Sequence, residues 1–272
     1  MIDHAALTNV PPLKGCGDYL APFAGMPRSE ENFGGKTGVV IGASFTQGEL
    51  IEIRNIIQRF LAERARSYSA NAARLIEDHP LSQYHEICES IDHGRLLSKE
   101  GRILPSKAVD QIRQMSFFDY VQKTFGDFSL SDEEGVGYGQ ICFRVVRPNH
   151  REDVGALHCD SWFWDHYGFE IPEGKQRVKV WVPVYGEPQS AGLLLSPGSH
   201  LNPIPWHADK SSGKLVFVPD VPDDLPLQRF CGDPGDTVFF NYKCLHAGAL
   251  NQGADTRVSF EITILFDKED KR

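Results

Sequence analysis

The sequence predicts an α+β fold, mainly β, in which an antiparallel jelly roll is backed by helices that precede it in the chain. Three observations carry that prediction. Apolar residues recur at helical spacing over residues 46–126, the period switches to two after Gly135, and the later runs are short and separated by Pro, Gly, Asp and Asn turns.

Residues 1–35 contain Pro11, Pro12, Pro22, Pro27 and several glycines, and read as an irregular arm. Thr46-Gln-Gly-Glu49 is a capping box, in which the threonine hydroxyl and the glutamate each satisfy an orphan N–H of the other's residue. Leu50, Ile53, Ile57, Phe60 and Leu61 follow at helical spacing, so a long helix is expected over 47–66. Shorter helical stretches fall at 70–78 and 84–91. A second long helix is expected after Pro105-Ser106, through Val109, Ile112, Val121 and Phe125 to Gly126. Strands are expected at 138–147, 178–185, 192–196, 214–218, 237–240 and 256–266. No repeat, linker or low-complexity tract interrupts the 272 residues. The expectation is one domain, with the arm at 1–35, a mainly helical part at 46–126 and a jelly-roll core at 136–266.

Hydrophobic residues make up 41% and charged residues 24%, which suits a globular chain rather than a disordered one. The 28 basic residues against 37 acidic ones give a net charge of −9, which argues against nucleic acid or an anionic membrane as the main partner. There is no run of about 18 apolar residues, and Met1-Ile2-Asp3-His4 does not open a charged-then-apolar leader. A cytoplasmic location and a small-molecule partner are therefore expected. Cys16, Cys88, Cys142, Cys159, Cys231 and Cys244 form no CxxC pair, and read as reduced, buried small hydrophobes.

Strand parity carries chemical information. Over 256–266 one face reads Val258, Phe260, Ile262, Ile264, Phe266 and the other Arg257, Ser259, Glu261, Thr263. Ile141, Phe143 and Val145 stand opposite Gln140, Cys142 and Arg144, and Val178, Val180, Val182 and Val184 stand opposite Arg177, Lys179 and Trp181. If the helices cover the apolar faces, the polar faces line the jelly-roll interior and Arg144, Lys179 and Arg257 converge on a concave space. If they do not, those faces simply meet water.

A metal constellation favours the first arrangement. Ten histidines and 37 acidic residues in 272 positions give about 1.4 His-x-Asp/Glu matches by chance. Three occur, at His150, His158 and His207. The first and last sit in turn-like stretches and read as surface histidines. His158 and Asp160 end a short extended run over 154–160, where i and i+2 project from one face and can grip one ion. His246, after the strand at 237–240, supplies a third ligand. If residues 251–255 make a tight hairpin, His246 lies opposite Arg257 or Ser259. A cation beside a metal-ligand histidine suits a dianionic co-substrate that chelates the metal at one end and pairs with Arg257 at the other. Two histidines and one carboxylate with open positions are associated with non-haem Fe(II) oxygenases.

From about residue 138 to 266 the chain resembles the phytanoyl-CoA dioxygenase family of Fe(II)/2-oxoglutarate-dependent oxygenases. The likeness rests on His158-Cys-Asp160, His246, Arg257, Val180-Trp181-Val182-Pro183, and the run Leu194-Leu195-Ser196-Pro197-Gly198-Ser199-His200. It implies a double-stranded β-helix (cupin-like) fold and an iron site made of His158, Asp160 and His246. It also implies that Arg257, with Ser259 beside it, holds the distal carboxylate of 2-oxoglutarate, and that Gln140 and Trp181 line the co-substrate pocket. Gly248 departs from the pattern, standing where some relatives carry a serine. Relatives that halogenate replace the ligand carboxylate with a small residue; with Asp160 present, the implied reaction is hydroxylation with O2, releasing succinate and CO2.

Trp162 and Trp164, close after Asp160, are candidates for a substrate wall. Arg144 and Lys179 are candidates for an anionic substrate group, for 2-oxoglutarate, or for pairing with Glu261. Two rival readings keep the same ligands: a cupin-type metal enzyme that does not use 2-oxoglutarate, and a non-catalytic jelly-roll ligand-binding domain.

Overall fold

The computed structural model describes residues 10–13, 35–210, 215–221 and 225–268. Most of the expected arm, Cys16 and the start of the expected strand at 214–218 lie outside them. The first helix, α1 (Gln47–Arg66), begins where its capping box places it: Glu49 N–H donates to Thr46 Oγ1 at 3.3 Å and Thr46 N–H donates to Glu49 Oε2 at 2.8 Å. It is followed by α2 (Ala70–Asp78), α3 (Tyr84–Ile87) and α4 (His93–Leu96). The helical stretch expected over 84–91 thus ends its α portion at Ile87 and finishes as a single 3-10 turn, Cys88–Ser90.

The long helix expected from 106 to 126 is two helices, α5 (Ser106–Arg113) and α6 (Ser116–Phe125). Met115 between them is extended (φ −76°, ψ 151°) and buried. The break is stabilised from outside. Ser116 donates its hydroxyl to Glu49 Oε1 at 2.8 Å, and its backbone N–H bonds the same oxygen, so α1 caps α6. Periodicity cannot reveal a cap supplied by a distant helix.

The strands are β1 (Val39–Ile41), β2 (Phe128–Leu130), β3 (Cys142–Val146), β4 (Lys175–Tyr185), β5 (Leu193–Leu195), β6 (Trp206–Asp209), β7 (Val216–Pro219), β8 (Gln228–Phe230), β9 (Val238–Phe240), β10 (His246–Gly248) and β11 (Arg257–Asp267). A six-stranded antiparallel sheet runs β1-β9-β4-β11, with β3 and β2 both on the far edge of β11. A three-stranded sheet, β10-β5-β8, faces it without closing a barrel, and β6 and β7 pair separately. This is the expected α+β jelly roll with helices on its major sheet.

The two faces of the major sheet divide as parity predicts. Val258, Phe260, Ile262, Ile264 and Phe266 join the four valines of β4, Phe143 and the apolar stripes of α1, α2, α5 and α6 in one core. The opposite face carries Arg257, Ser259, Glu261 and Thr263, beside Arg144 on β3 and Lys179 and Trp181 on β4. Between the sheets, Trp181, Val238 and Phe240 meet Leu193, Leu195 and Phe230. No helix among the described residues is long and apolar enough to cross a membrane.

Candidate metal centre

His158 and His246 are partners across an isolated antiparallel bridge, each backbone N–H donating to the other's carbonyl at 2.9 Å. β10 pairs with β5, His246 opposite Leu195, so the hairpin that would set His246 against Arg257 or Ser259 does not form. Residues 249–256 instead carry the chain from the minor sheet to the major one. Asn251, fully buried, anchors that crossing by donating Nδ2 to Val146 O at 2.9 Å and Asp255 O at 2.8 Å.

Asp160 also departs from the extended run expected for it. It is the first residue of a helix, α7 (Asp160–Tyr167), which ends at Gly168 in the left-handed region (φ 69°). Glycine just past the last helical residue is a common stop signal and was present in the sequence. The carboxylate therefore reaches the histidines from a helix N-terminus, not from a shared strand face.

The three side chains nevertheless converge. Asp160 Oδ1 lies 3.6 Å from His158 Nε2 and 3.8 Å from His246 Nε2, and the candidate ligand atoms all fall within 4.8 Å of one another. His158 Nδ1 bonds Ala156 O at 2.7 Å and His246 Nδ1 bonds Cys244 O at 2.9 Å. A carbonyl can only accept, so each Nδ1 carries a proton, and in the neutral ring each Nε2 presents its lone pair inward. Burial and the neighbouring His158 push His246 down to about 4 despite Asp160, which keeps its imidazole neutral. Burial opposes ionisation of Asp160, but Lys179 and the two imidazoles outweigh it and hold the carboxyl well below its usual range.

The second oxygen of Asp160 faces Lys179. Lys179 Nζ lies 3.6 Å from Asp160 Oδ2 and 3.5 Å from Glu133 Oε2, and its side chain is 4% exposed. These are ion-pair distances without hydrogen bonds, and Asp160 Oδ2 is a buried atom with no hydrogen-bond partner. Two inward lone pairs and one ionised carboxylate form a donor set suited to one divalent cation.

Arg257 is 2% exposed and reaches across to the minor sheet, where Nη1 donates to Gly192 O at 2.5 Å and to Ala249 O at 3.1 Å. Its Nε has no partner. Burial first, then the guanidiniums of Arg144 and Arg229, disfavour its charge, a penalty that a bound carboxylate relieves. Gly248 sits beside it: a Cβ there lies 3.0 Å from Arg257 Nη2, so any side chain at this position crowds the guanidinium. Ser259 is buried on the same face, paired with Arg144 on β3 and Pro183 on β4. Trp181 packs edge-on to Phe230 at 5.9 Å.

Gln140 accepts the N–H groups of Glu133 and Glu134 through Oε1 at 3.0 and 3.1 Å, and its buried Nε2 has no partner. It lines a cavity of about 620 Å³ that opens on His158 and Asp160 and also touches Arg144, Lys179 and Trp164. Trp162 does not line it. That ring stacks on Trp206 at 5.8 Å in a separate apolar cluster, on the opposite side of α7 from the cavity. The sequence pattern also gives no sign of Glu133, Arg102 and Lys99, which lie in irregular stretches or a short turn and share no motif with the histidines.

The profile of the family described as Phytanoyl-CoA dioxygenase (PhyH) matches residues 39–259. No curated protein matches at a significant level. Among solved structures, EvdO2 from Micromonospora carbonacea var. aurantiaca is 16% identical with a TM-score of 0.56, over 88% of this chain and 90% of that one. The apo form of the non-heme monooxygenase ThoJ is 16% identical with a TM-score of 0.54, over 88% and 79%. EctD from S. alaskensis, with 2-oxoglutarate and 5-hydroxyectoine, is 14% identical with a TM-score of 0.53, over 94% and 82%. At these identities the structural likeness is one of fold. The family match runs from β1 into β11 and takes in the clustered His158, Asp160 and His246 and also Arg257, and on the strength of that match this chain belongs to the phytanoyl-CoA dioxygenase family.

Proposed function

We propose that this chain is an Fe(II)- and 2-oxoglutarate-dependent dioxygenase that hydroxylates a small-molecule metabolite in the cytoplasm, with release of succinate and CO2. One observation carries the reading: Asp160 Oδ1 stands 3.6 and 3.8 Å from two imidazole nitrogens whose tautomers turn lone pairs inward. Family membership supports it, as does the solved EctD structure with bound Fe. In this proposal His158, Asp160 and His246 hold the metal, and Arg257 and Ser259 hold the distal carboxylate of the keto acid. Gln140 and Trp181 bound its pocket.

When bound, the ferrous ion and the keto acid together supply the oxidising chemistry. The chain's own residues set the conditions. Lys179 occupies the Oδ2 side of Asp160, which leaves Oδ1 to face the histidines. The two carbonyls that fix the imidazole tautomers keep both rings from turning. Trp181, Phe240 and Leu195 pack the space between the sheets and exclude water from it.

A metal enzyme that does not use 2-oxoglutarate has one observation in its favour, because Arg257 already donates to two backbone carbonyls and so has a structural role. Adding 2-oxoglutarate to the anaerobic Fe(II) protein separates the readings. The proposed function expects a visible metal-to-keto-acid charge-transfer band and slow succinate formation in air. Metal binding with neither signal refutes it and leaves the rival enzyme or a non-catalytic binding domain.

A further inference from the structure

The cavity beside the metal triad is lined by four basic and four acidic side chains, but the acids are not spread evenly over the bases. Lys99 is paired with Glu134, and Lys179 is shared between Glu133 and Asp160. Two guanidiniums remain on the wall, Arg102 and Arg144. Among the described residues Arg144 makes no hydrogen bond or ion pair, and Arg102 makes one long bond, from Nε to Ser98 O at 3.4 Å. Both are half-buried and border the cavity and the neighbouring one that also touches His158. Glu261, the remaining wall carboxylate, forms no ion pair with either within 4 Å; it acts on both at longer range, and Lys179 is its strongest partner. Burial and the proximity of Arg144 both work against the charge on Arg102.

Two half-buried guanidiniums that repel each other on a cavity wall, neither in a close ion pair, are a favourable place for an anion to join them. The planar fork of each matches a carboxylate or a phosphate. Arg257 lies deeper, between the sheets, whereas Arg102 comes from a turn between α4 and α5, outside both sheets. An anion held by this pair therefore sits at the cavity wall.

The other wall is aromatic. Phe163 and Tyr167 on α7 and Phe169 just beyond it are 38%, 51% and 48% exposed, with ring centroids 5.5 Å apart for the first pair and 6.1 Å for the second. All three line the same cavity, and the helix that carries the first two starts at Asp160. Exposed aromatics clustered at a cavity are a surface for a ring or other apolar body.

We propose that Arg102 and Arg144 form the recognition site for an anionic group, carboxylate or phosphate, of the primary substrate, whose apolar or ring body lies on Phe163, Tyr167 and Phe169 and so passes the metal. This assignment rests on the proposed oxygenase function and names the substrate class for that site: a small organic anion with an apolar portion. In this assignment Arg257 holds the distal carboxylate of 2-oxoglutarate, and Arg144, which stands across from Ser259, serves the substrate anion instead.

Fluorine NMR titration of the full chain, loaded with Zn(II) in place of iron, tests it. The probes are para-fluorobenzoate, para-fluorophenyl phosphate, para-fluorobenzamide and para-fluorobenzylamine. At least one of the two anions is expected to bind about tenfold or more tighter than the neutral amide, and the one that does identifies the anionic group. Arg102→Gln and Arg144→Gln are each expected to reduce that affinity about tenfold while leaving the amide unchanged. Arg102→Lys keeps the charge without the fork, and is expected to fall between. The inference is overturned if the amide or the ammonium binds as well as both anions, if no probe binds, or if Arg102→Gln changes nothing. It is also overturned if either glutamine variant weakens 2-oxoglutarate as much as the anionic probe. Failure of the wild-type Fe(II) protein to bind 2-oxoglutarate is a separate result that sinks the oxygenase reading, since the probe titration needs only the metal-loaded chain.

Discussion

Asp153 and Asp160 lie seven residues apart, both largely withdrawn from water, and their surroundings differ in one respect. Asp153, 2% exposed, accepts Arg147 Nε and Nη2 at 2.8 Å each and the Arg147 backbone N–H at 3.0 Å, with His93 Nε2 3.3 Å away. Asp160, 16% exposed, has every cationic or imidazole neighbour at 3.6 Å or beyond, and Oδ2 makes no hydrogen bond. The first carboxylate is saturated by the protein and ties the segment after β3 to α4. The second is held among charges that are near enough to keep it ionised and too far to satisfy it. A buried charge left in that condition by its own chain suits the metal-ligand role proposed for it.

The sharpest way to break this comparison is to remove each charge in turn. Asp153→Asn is expected to lower unfolding stability by about 3–5 kcal/mol, because it strands Arg147, while metal affinity stays within about twofold. Chemical denaturation and metal titration of the same variant check both halves. Asp160→Asn is expected to reverse the pattern. Metal affinity falls at least about a hundredfold, roughly 2.7 kcal/mol, and the metal-free fold loses much less than it does in Asp153→Asn. Equal losses of stability in the two variants contradict the distinction between a saturated carboxylate and an unsatisfied one.

Arg257→Ala extends the test to the co-substrate end. It is expected to weaken 2-oxoglutarate binding at least about tenfold, in line with about 1.5–3 kcal/mol for a bond to a charged group. An unchanged dissociation constant returns Arg257 to a purely structural role. The smallest effect concerns pH. Burial works against ionisation of Asp153, but Arg147 and His93 outweigh it and hold its folded carboxyl well below the usual range. A depressed folded value means the stabilisation is present above the ordinary carboxylate value of about 4 and fades as pH falls through the folded one. The stability gap between the native chain and Asp153→Asn should therefore narrow from pH 7 towards strong acid. A gap that widens there reverses the assigned sign.

Much of the frame is legible in local signals of the amino-acid sequence. The Thr46 capping box and the apolar spacing after it are of this kind, and α1 and α2 have the expected bounds. Parity in β11 and β4 separates the helix-facing side chains from the interior ones, because a strand has only two faces. The break at Met115 is not legible, since the oxygen that caps Ser116 belongs to Glu49. Nor does the extended run expected over 154–160 allow for the start of α7 at Asp160, although Gly168 marks the end of that helix.

The partners of the site show the same divide. His158, Asp160, His246 and Arg257 can be named from residue type and spacing, yet the geometry expected to unite them is wrong twice: Asp160 opens a helix, and β10 pairs with β5. The arrangement tolerates both changes because a metal site requires ligand atoms at the right separations, whatever elements carry them. Arg102, Lys99 and Glu133 reach the cavity from stretches with no periodic signal of their own.

The sequence by itself determined which side chains are apolar at helical or alternating spacing, and hence the helices, the sheet faces and the residue types available for chemistry. Only the tertiary structure decided which carboxylate is saturated, which guanidinium is left without an acid, and which tryptophan meets the cavity. Those outcomes depend on distances between segments far apart in the chain, and local spacing constrains such distances very little.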